Sequence, residues 1–209
     1  MENLDITETT KNTLVKFTNK QALLFIIKEC GFSLKELISK VKNIRLKKQN
    51  SKKLILIPFK DILEYLIYSN VFYQEPSLET CTARSKNTIE NICNCLDFLA
   101  QENGNRFIFR NLDINLTYNK PIMSRLILKV CYEVLQISKK QSAIQILSYI
   151  TNNYFIIEFI SIYKEKSLKS RFNELNPLLK LVSGTFTYEY LDNNAILFRI
   201  TLPFLNTHF

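Results

Sequence analysis

Glycine occurs three times in 209 residues and histidine once, at His208, and these two shortages exclude more chemistry than anything else in the chain. A glycine-rich phosphate loop needs several adjacent backbone positions without a Cβ, so none can be built here. The single histidine removes most histidine-based chemistry, a histidine metal cluster included, and no Ser-His-Asp set is found. No run approaches the roughly 20 apolar residues of a membrane span. The longest nearly apolar runs, Leu54 to Phe59 and Tyr154 to Ile160, are far shorter. Met1 to Thr10 is acidic and polar and lacks the basic flank and apolar core of a secretion signal, so a cytoplasmic protein is expected. The five cysteines are an odd number without such a signal, and reduced thiols are expected rather than disulfides. Cys93 and Cys95 make a C-x-C, but no second pair completes a tetrahedral set, so no metal is expected.

What is present suits a folded protein. Hydrophobic residues make up 46% and charged residues 22%, enough to bury the core of one large domain or two small ones. The net charge of +9 and pI near 9.3 invite a nucleic-acid reading. The bias is lysine-heavy and accompanied by much Asn and Ile, however, as AT-rich genomes produce without selection for binding. Lys42, Arg45, Lys47, Lys48, Lys52 and Lys53 cluster, either as a solvated basic connector or as a phosphate-binding patch.

After a frayed tail over 1–12, Leu14, Phe17, Leu23, Leu24, Ile26 and Ile27 predict a helix from Thr13 that Gly31 stops. Ser33 with Glu36 has the capping-box pattern and begins a second helix, which leads into the basic connector. Pro58 sits near the start of a third, where Phe59, Ile62, Leu63, Leu66 and Ile67 fall at helical spacing. Glu75-Pro76-Ser77 makes a turn. Ser77 then caps a fourth helix with Ile89, Ile92, Cys93, Leu96 and Leu99 on one face, ended by Asn103-Gly104-Asn105. The third and fourth helices form an αα-hairpin.

From residue 106 the pattern changes. Phe107, Phe109, Leu112, Ile114 and Leu116 alternate with polar residues and predict one or two strands. Pro121 opens a helix striped by Met123, Leu126, Ile127, Val130, Cys131, Val134 and Leu135. AIQILSYI and YFIIEFISI flank Thr151-Asn152-Asn153 as the strands of a hairpin, although periodicity alone leaves a helix over 143–160 open. A short helix from Pro177 to Val182 ends at Gly184. A last hairpin turns at Asp192-Asn193-Asn194 and runs into Leu202-Pro203. This order predicts an α+β fold: N-terminal helices and an αα-hairpin, then a small α/β sandwich with helices on one face of a mainly antiparallel sheet.

LLKLVSGTFTYEYLDNNAILFRITLPF resembles the ending of the GHKL-type ATPase domain of sensor histidine kinases, and RLILKVCYEVLQIS resembles the helix that carries their N-box. The αα-hairpin is similar to the domain that dimerises them, so the likeness spans residues 53–204. It implies three divisions: 1–52, an N-terminal helical segment and basic connector; 53–104, a dimerising helical hairpin; 105–209, an ATPase-like sandwich.

The resemblance also implies that Lys129 and Glu133 stand where the N-box has two asparagines, the second of which helps hold Mg²⁺. Ser161 stands where an Asp-x-Gly-x-Gly motif contacts adenine. Gly184 alone remains near the last glycine-rich box, and one glycine makes no phosphate nest. The phosphoacceptor would fall near Lys53 or Leu54, and neither forms a phosphoramidate. On this likeness the chain is expected to be a pseudo-kinase: no enzyme, no cofactor, a homodimer through its hairpin, binding and regulating a protein partner of response-regulator type.

An alternative lies in the segment 77–110, which also resembles a winged-helix unit of a DNA-binding regulator. Arg84, Ser85, Lys86, Asn87 and Thr88 would then face phosphates and bases, although the turn between Thr80 and Ser85 is shorter than usual. The same residues also fit the solvent face of an amphipathic helix. Tyr68, Phe72 and Tyr73 are candidates for a partner surface, or else close the base of the hairpin. Asp61, Glu64, Glu174 and Asp192 show no pairing as general acid and base and read as surface charges.

Overall fold

A computed structural model describes residues 18–33, 35, 59–74, 80–164 and 172–203, with backbone only at 70 and 71. The 1–12 tail, the helix expected beyond Ser33, the basic connector, Pro58, the Glu75-Pro76-Ser77 turn, the phosphoacceptor position at Lys53 or Leu54, and His208 lie outside the described residues.

Helix α1 spans Asn19–Glu29, capped reciprocally by Thr18 with Gln21, and the 13–17 part of the expected helix lies outside the described residues. At its other end Gly31 takes φ +63, which lets Phe32 N–H reach Ile27 O and Gly31 N–H reach Lys28 O. Helices α2 (Phe59–Tyr68) and α3 (Asn70–Tyr73) follow in the second described segment.

The fourth helix is not continuous. Thr80–Arg84 is a strand, β1, and the helix that follows is split into α4 (Ser85–Asn94) and α5 (Asp97–Glu102). The cause is tertiary: β1 pairs antiparallel with β3 (Asn115–Asn119), and the hydroxyls of Thr82 and Thr117 lie 2.9 Å apart across the pair. Two β-branched residues at alternate positions suit a strand once a partner exists. The stripe of Ile89, Ile92, Cys93, Leu96 and Leu99 is real, but it is buried inside the chain's own core. It therefore gives no exposed seam for a dimerising αα-hairpin.

Between them, β2 (Arg106–Asn111) belongs to a second sheet. Asn119 then caps α6 (Lys120–Ile137) by accepting from Ile122 N–H at 2.9 Å, with Pro121 in the first turn. The expected apolar stripe understates this helix, since every residue from Ile122 to Leu135 is buried. Each fully buried Leu or Ile contributes about 1.5–3 kcal/mol, so α6 is the centre of the molecule energetically as well as spatially.

Strands β4 (Ala143–Thr151) and β5 (Tyr154–Ile162) form the expected hairpin, and the helical option over 143–160 falls. Asn152 and Asn153 sit at φ 46 and 65, the pair of left-handed residues that a two-residue hairpin turn needs. After a 3-10 turn at Asn173–Leu175 come α7 (Asn176–Leu181), β6 (Thr185–Tyr190) and β7 (Ala195–Pro203). The main sheet has the order β2-β4-β5-β7-β6, parallel only between β2 and β4. The α+β expectation with a mainly antiparallel sheet is met. Helix α6 packs on the sheet with α4, α5 and α7 around it, and α1 and α2 lie outside it against α6 and each other. Among the described residues no helix is long and apolar enough to cross a membrane.

Candidate functional site

Arg125, Lys129 and Glu133 recur every four residues on α6, so one face of a buried helix carries a stripe of three charges. Their residues are 2%, 0% and 0% exposed, which makes the stripe costly unless each charge is paired.

Lys129 and Glu133 are paired with charges, and Arg125 is held by backbone carbonyls. Lys129 Nζ lies 2.9 Å from Glu133 Oε1 and 3.0 Å from Glu174 Oε2, and 4.0 Å over the ring of Tyr68. Tyr68 O–H donates to Glu133 Oε1 at 2.6 Å, and Tyr73 O–H donates to Glu174 Oε2 at 2.9 Å. Burial, reinforced by this bond to Glu174, pushes the Tyr73 hydroxyl well above the usual tyrosine range. One ammonium is thus held by two carboxylates, which in turn receive two phenols. The side chains come from α2, α3, α6 and the turn before α7.

Arg125, one turn away, binds α3 as well, and α1 with it. Its Nε donates to Cys30 O at 2.7 Å and its Nη1 to Phe72 O and Gln74 O at 2.9 and 2.6 Å, while Phe32 stacks on the guanidinium at 4.7 Å. These carbonyls lie at or just beyond the C-terminal ends of α1 and α3, where a cation also suits the helix dipole. Burial lowers the Arg125 pKa from its ordinary value, which the carbonyl cage offsets chemically.

Of the residues expected from the sequence, Lys129 and Glu133 come together in this cluster. Ser161 does not join it. It is buried at the end of β5, its hydroxyl 2.6 Å from that of Ser138, which donates to Val134 O. Ser161 therefore ties β5 to the end of α6. Gly184 is explained by packing: a Cβ there would stand 2.8 Å from Leu202 and 3.1 Å from Thr201 O.

The partner-surface expectation for Phe72 is corrected, because Phe72 is fully buried between Phe32 and Tyr73. Tyr68 is 42% exposed, with its hydroxyl engaged by Glu133. The winged-helix alternative is also corrected. Ser85 is buried and donates to Leu112 O, Thr88 is buried against the Tyr118 hydroxyl, and β2 lies parallel to β4 rather than in a wing hairpin. Along the same stretch Arg84, at the end of β1, and Asn87 are exposed and Lys86 partly so, with Arg84 3.6 Å from Asp113.

Sequence reasoning missed Arg125 and Glu174. Arg125 was findable, as the first of three charges at four-residue spacing in an apolar helix. Glu174 was not, since a chain segment of 45 residues separates it from Lys129. Cys30, Cys93, Cys95 and Cys131 are buried free thiols, and burial drives Cys95 up to about 12. Among the described residues no group of His, Cys, Asp or Glu is arranged to hold a metal ion.

In sequence, neither a family model nor a curated protein matches this chain. In structure, several solved proteins do. The Acinetobacter baumannii histidine kinase AdeS superposes with a TM-score of 0.59 at 12% identity, over 90% of this chain and 94% of its own. A histidine kinase from Burkholderia phymatum STM815 gives 0.55 at 8% identity, over 90% and 96%. The catalytic domain of the histidine kinase ThkA gives 0.52 at 10% identity, over 60% of this chain and 97% of its own. The expectation that the chain is not an enzyme is overturned by these likenesses, since the proteins that share its architecture are kinases. The α6-centred sandwich, with its mixed sheet ending in the β6–β7 hairpin, is a histidine-kinase-like ATPase fold.

Proposed function

We propose that this chain is a histidine-kinase-like signalling protein of the cytoplasm that works as a homodimer and binds and regulates a protein partner of response-regulator type. Its N-box positions hold its own outer helices in place of a nucleotide. The observation that supports the reading is the Lys129, Glu133, Glu174, Tyr68 and Tyr73 cluster. At the two positions that the family likeness gives to asparagines, this chain has a cation and an anion that neutralise each other. The phenols that complete the cluster come from α2 and α3, so those helices cover the face of α6 on which Lys129 and Glu133 lie. Mg²⁺ bound there would have to displace an ammonium already held by two carboxylates, at the cost of exposing a buried stripe.

The test is a titration of the full chain with ATP and Mg²⁺, followed by melting temperature. A ligand at a hundred times its Kd stabilises by about 2.7 kcal/mol, a shift easily read. The expected result is no shift at millimolar nucleotide. A saturable rise in melting temperature would refute the occupied-site reading.

A further inference from the structure

The main sheet has a second face that the helices leave alone. On β5 the side chains of Phe155, Ile157 and Phe159 enter the core beneath α6, and Ile156, Glu158, Ile160 and Ile162 point the other way. Ile156 and Leu197 are only 8% and 5% exposed, yet neither belongs to the main core cluster, and Ile108, Leu147 and Ile160 do not pack against it either. Apolar side chains of β2, β4, β5 and β7 therefore form a second patch, and β6 adds Thr187 and Glu189 at its edge. Its two central charges neutralise each other: Glu158 Oε1 accepts from Arg199 Nε at 2.7 Å, and also from Tyr149 O–H at 2.9 Å.

The strand registers arrange this face in rows. Arg110, Leu147, Glu158, Arg199 and Thr187 form one, and Ile108, Gln145, Ile160, Leu197 and Glu189 the next. The charges at its two rims differ in sign: Arg106 and Arg110 on β2 at one edge, Glu189 on β6 at the other, all three exposed.

We infer that this open face of the sheet binds a second copy of the same chain. A two-fold axis parallel to β5, the middle strand, lays β2 of one copy over β6 of its partner and β4 over β7. Glu189 of each copy then faces the partner's Ile108, flanked along the strand by the partner's Arg106 and Arg110 at about 7 Å on either side. A two-fold perpendicular to the strands would instead set arginine rim on arginine rim, so charge selects the first arrangement. Ile160 lies on the axis and meets its own copy. Glu158 also meets its copy there, already paired with Arg199.

The size is sufficient. Five strands spaced about 4.8 Å apart, with nine residues of about 3.4 Å each in the three central ones, present about 700 Å². A standard interface buries about 800 Å² per partner. Stacking at the usual small angle between aligned sheets makes a sandwich of the two faces. The inference rests on the proposed homodimer for its oligomeric state and on nothing else in that reading.

Sedimentation velocity of the full chain over a hundredfold concentration range tests it. A monomer–dimer equilibrium is expected, with Ile160→Glu shifting it to monomer at unchanged circular dichroism. Arg110→Glu and Glu189→Arg should each weaken the dimer about tenfold or more, and the two together in one chain should recover most of that loss, because the rims remain complementary. If Ile160→Glu fails to fold, the two exposed charge variants carry the test alone. A chain monomeric throughout overturns both this surface and the homodimer. A dimer indifferent to all of these changes, or no recovery in the double variant, overturns the surface alone.

Discussion

Replacing Lys129 with methionine removes the cation from the buried stripe while keeping the bulk of the side chain. Its ammonium is 2.9 Å from a fully buried carboxylate, Glu133, and 3.0 Å from one that is 47% exposed, Glu174. The exposed partner is worth little on its own, about 0–1 kcal/mol, because water replaces the lysine. The buried one decides the outcome: breaking such a pair costs about 3–5 kcal/mol, since a carboxylate is left in the interior without this counter-ion. For a domain of this size each kcal/mol lowers the melting temperature by about 2–4 °C, so Lys129→Met should melt about 6–20 °C lower. The double variant Lys129→Met/Glu133→Leu removes both charges, and should recover to within about 1.5 kcal/mol of the native protein, as a buried pair exchanged for apolar groups often does. Urea unfolding at constant m-value measures both, and the cycle gives the coupling. A cost below about 1 kcal/mol for Lys129→Met, or strictly additive single and double effects, would show that the stripe is not a coupled buried network.

Three further outcomes follow from other contacts. Arg125→Lys keeps the charge but loses the planar fork over Cys30, Phe72 and Gln74 carbonyls, and should cost about 3 kcal/mol and raise amide exchange in α1 and α3 well before β5, as read by hydrogen-exchange mass spectrometry. Gly184→Ala puts a Cβ 2.8 Å from Leu202, a clash that should cost about 1–3 kcal/mol in urea unfolding and leave the sheet content seen by circular dichroism unchanged. Burial lifts Cys95 from 9.0 to about 12 and Tyr118 from 10.0 to about 12, and raises Cys30 and Cys93 as well. The unfolded chain releases these protons first. Stability should therefore hold below pH 9 and fall above it by about 1.4 kcal/mol per pH unit for each thiol, a trend that urea midpoints measured from pH 7 to 10.5 would reveal or deny.

Much of the fold was legible because its signals are local. Asn152-Asn153 and Asn193-Asn194 mark hairpin turns through the left-handed backbone they tolerate, and all four residues have positive φ. Pro121 and the following stripe located α6, and Gly31 and Gly104 marked helix ends by the same backbone freedom. The segment 77–101 misled because its helical stripe is genuine from residue 85 onward, while Thr80–Arg84 becomes a strand only through pairing with β3, more than thirty residues away. The partner surface expected at Phe72 failed for a similar reason. An aromatic at the end of a short helix looks exposed until Phe32, just beyond α1, packs on it.

The candidate site divides along the same line. Lys129 and Glu133 could be named from their places in the N-box frame, and their four-residue spacing already puts them in contact on one helix face. That the face is buried, that Tyr68, Tyr73 and Glu174 complete the cluster, and that Arg125 ties down two outer helices are matters of long-range contact.

By itself the sequence determined the strand and helix order from residue 106 onward, the hairpin turns and the absence of a glycine-rich phosphate loop, since each follows from residue type and period. Only the tertiary structure decided which polar residues are buried together, which stripe is spent in the core and which sheet face is left open. Those depend on the free energy of pairing groups far apart in the chain, which no local pattern records.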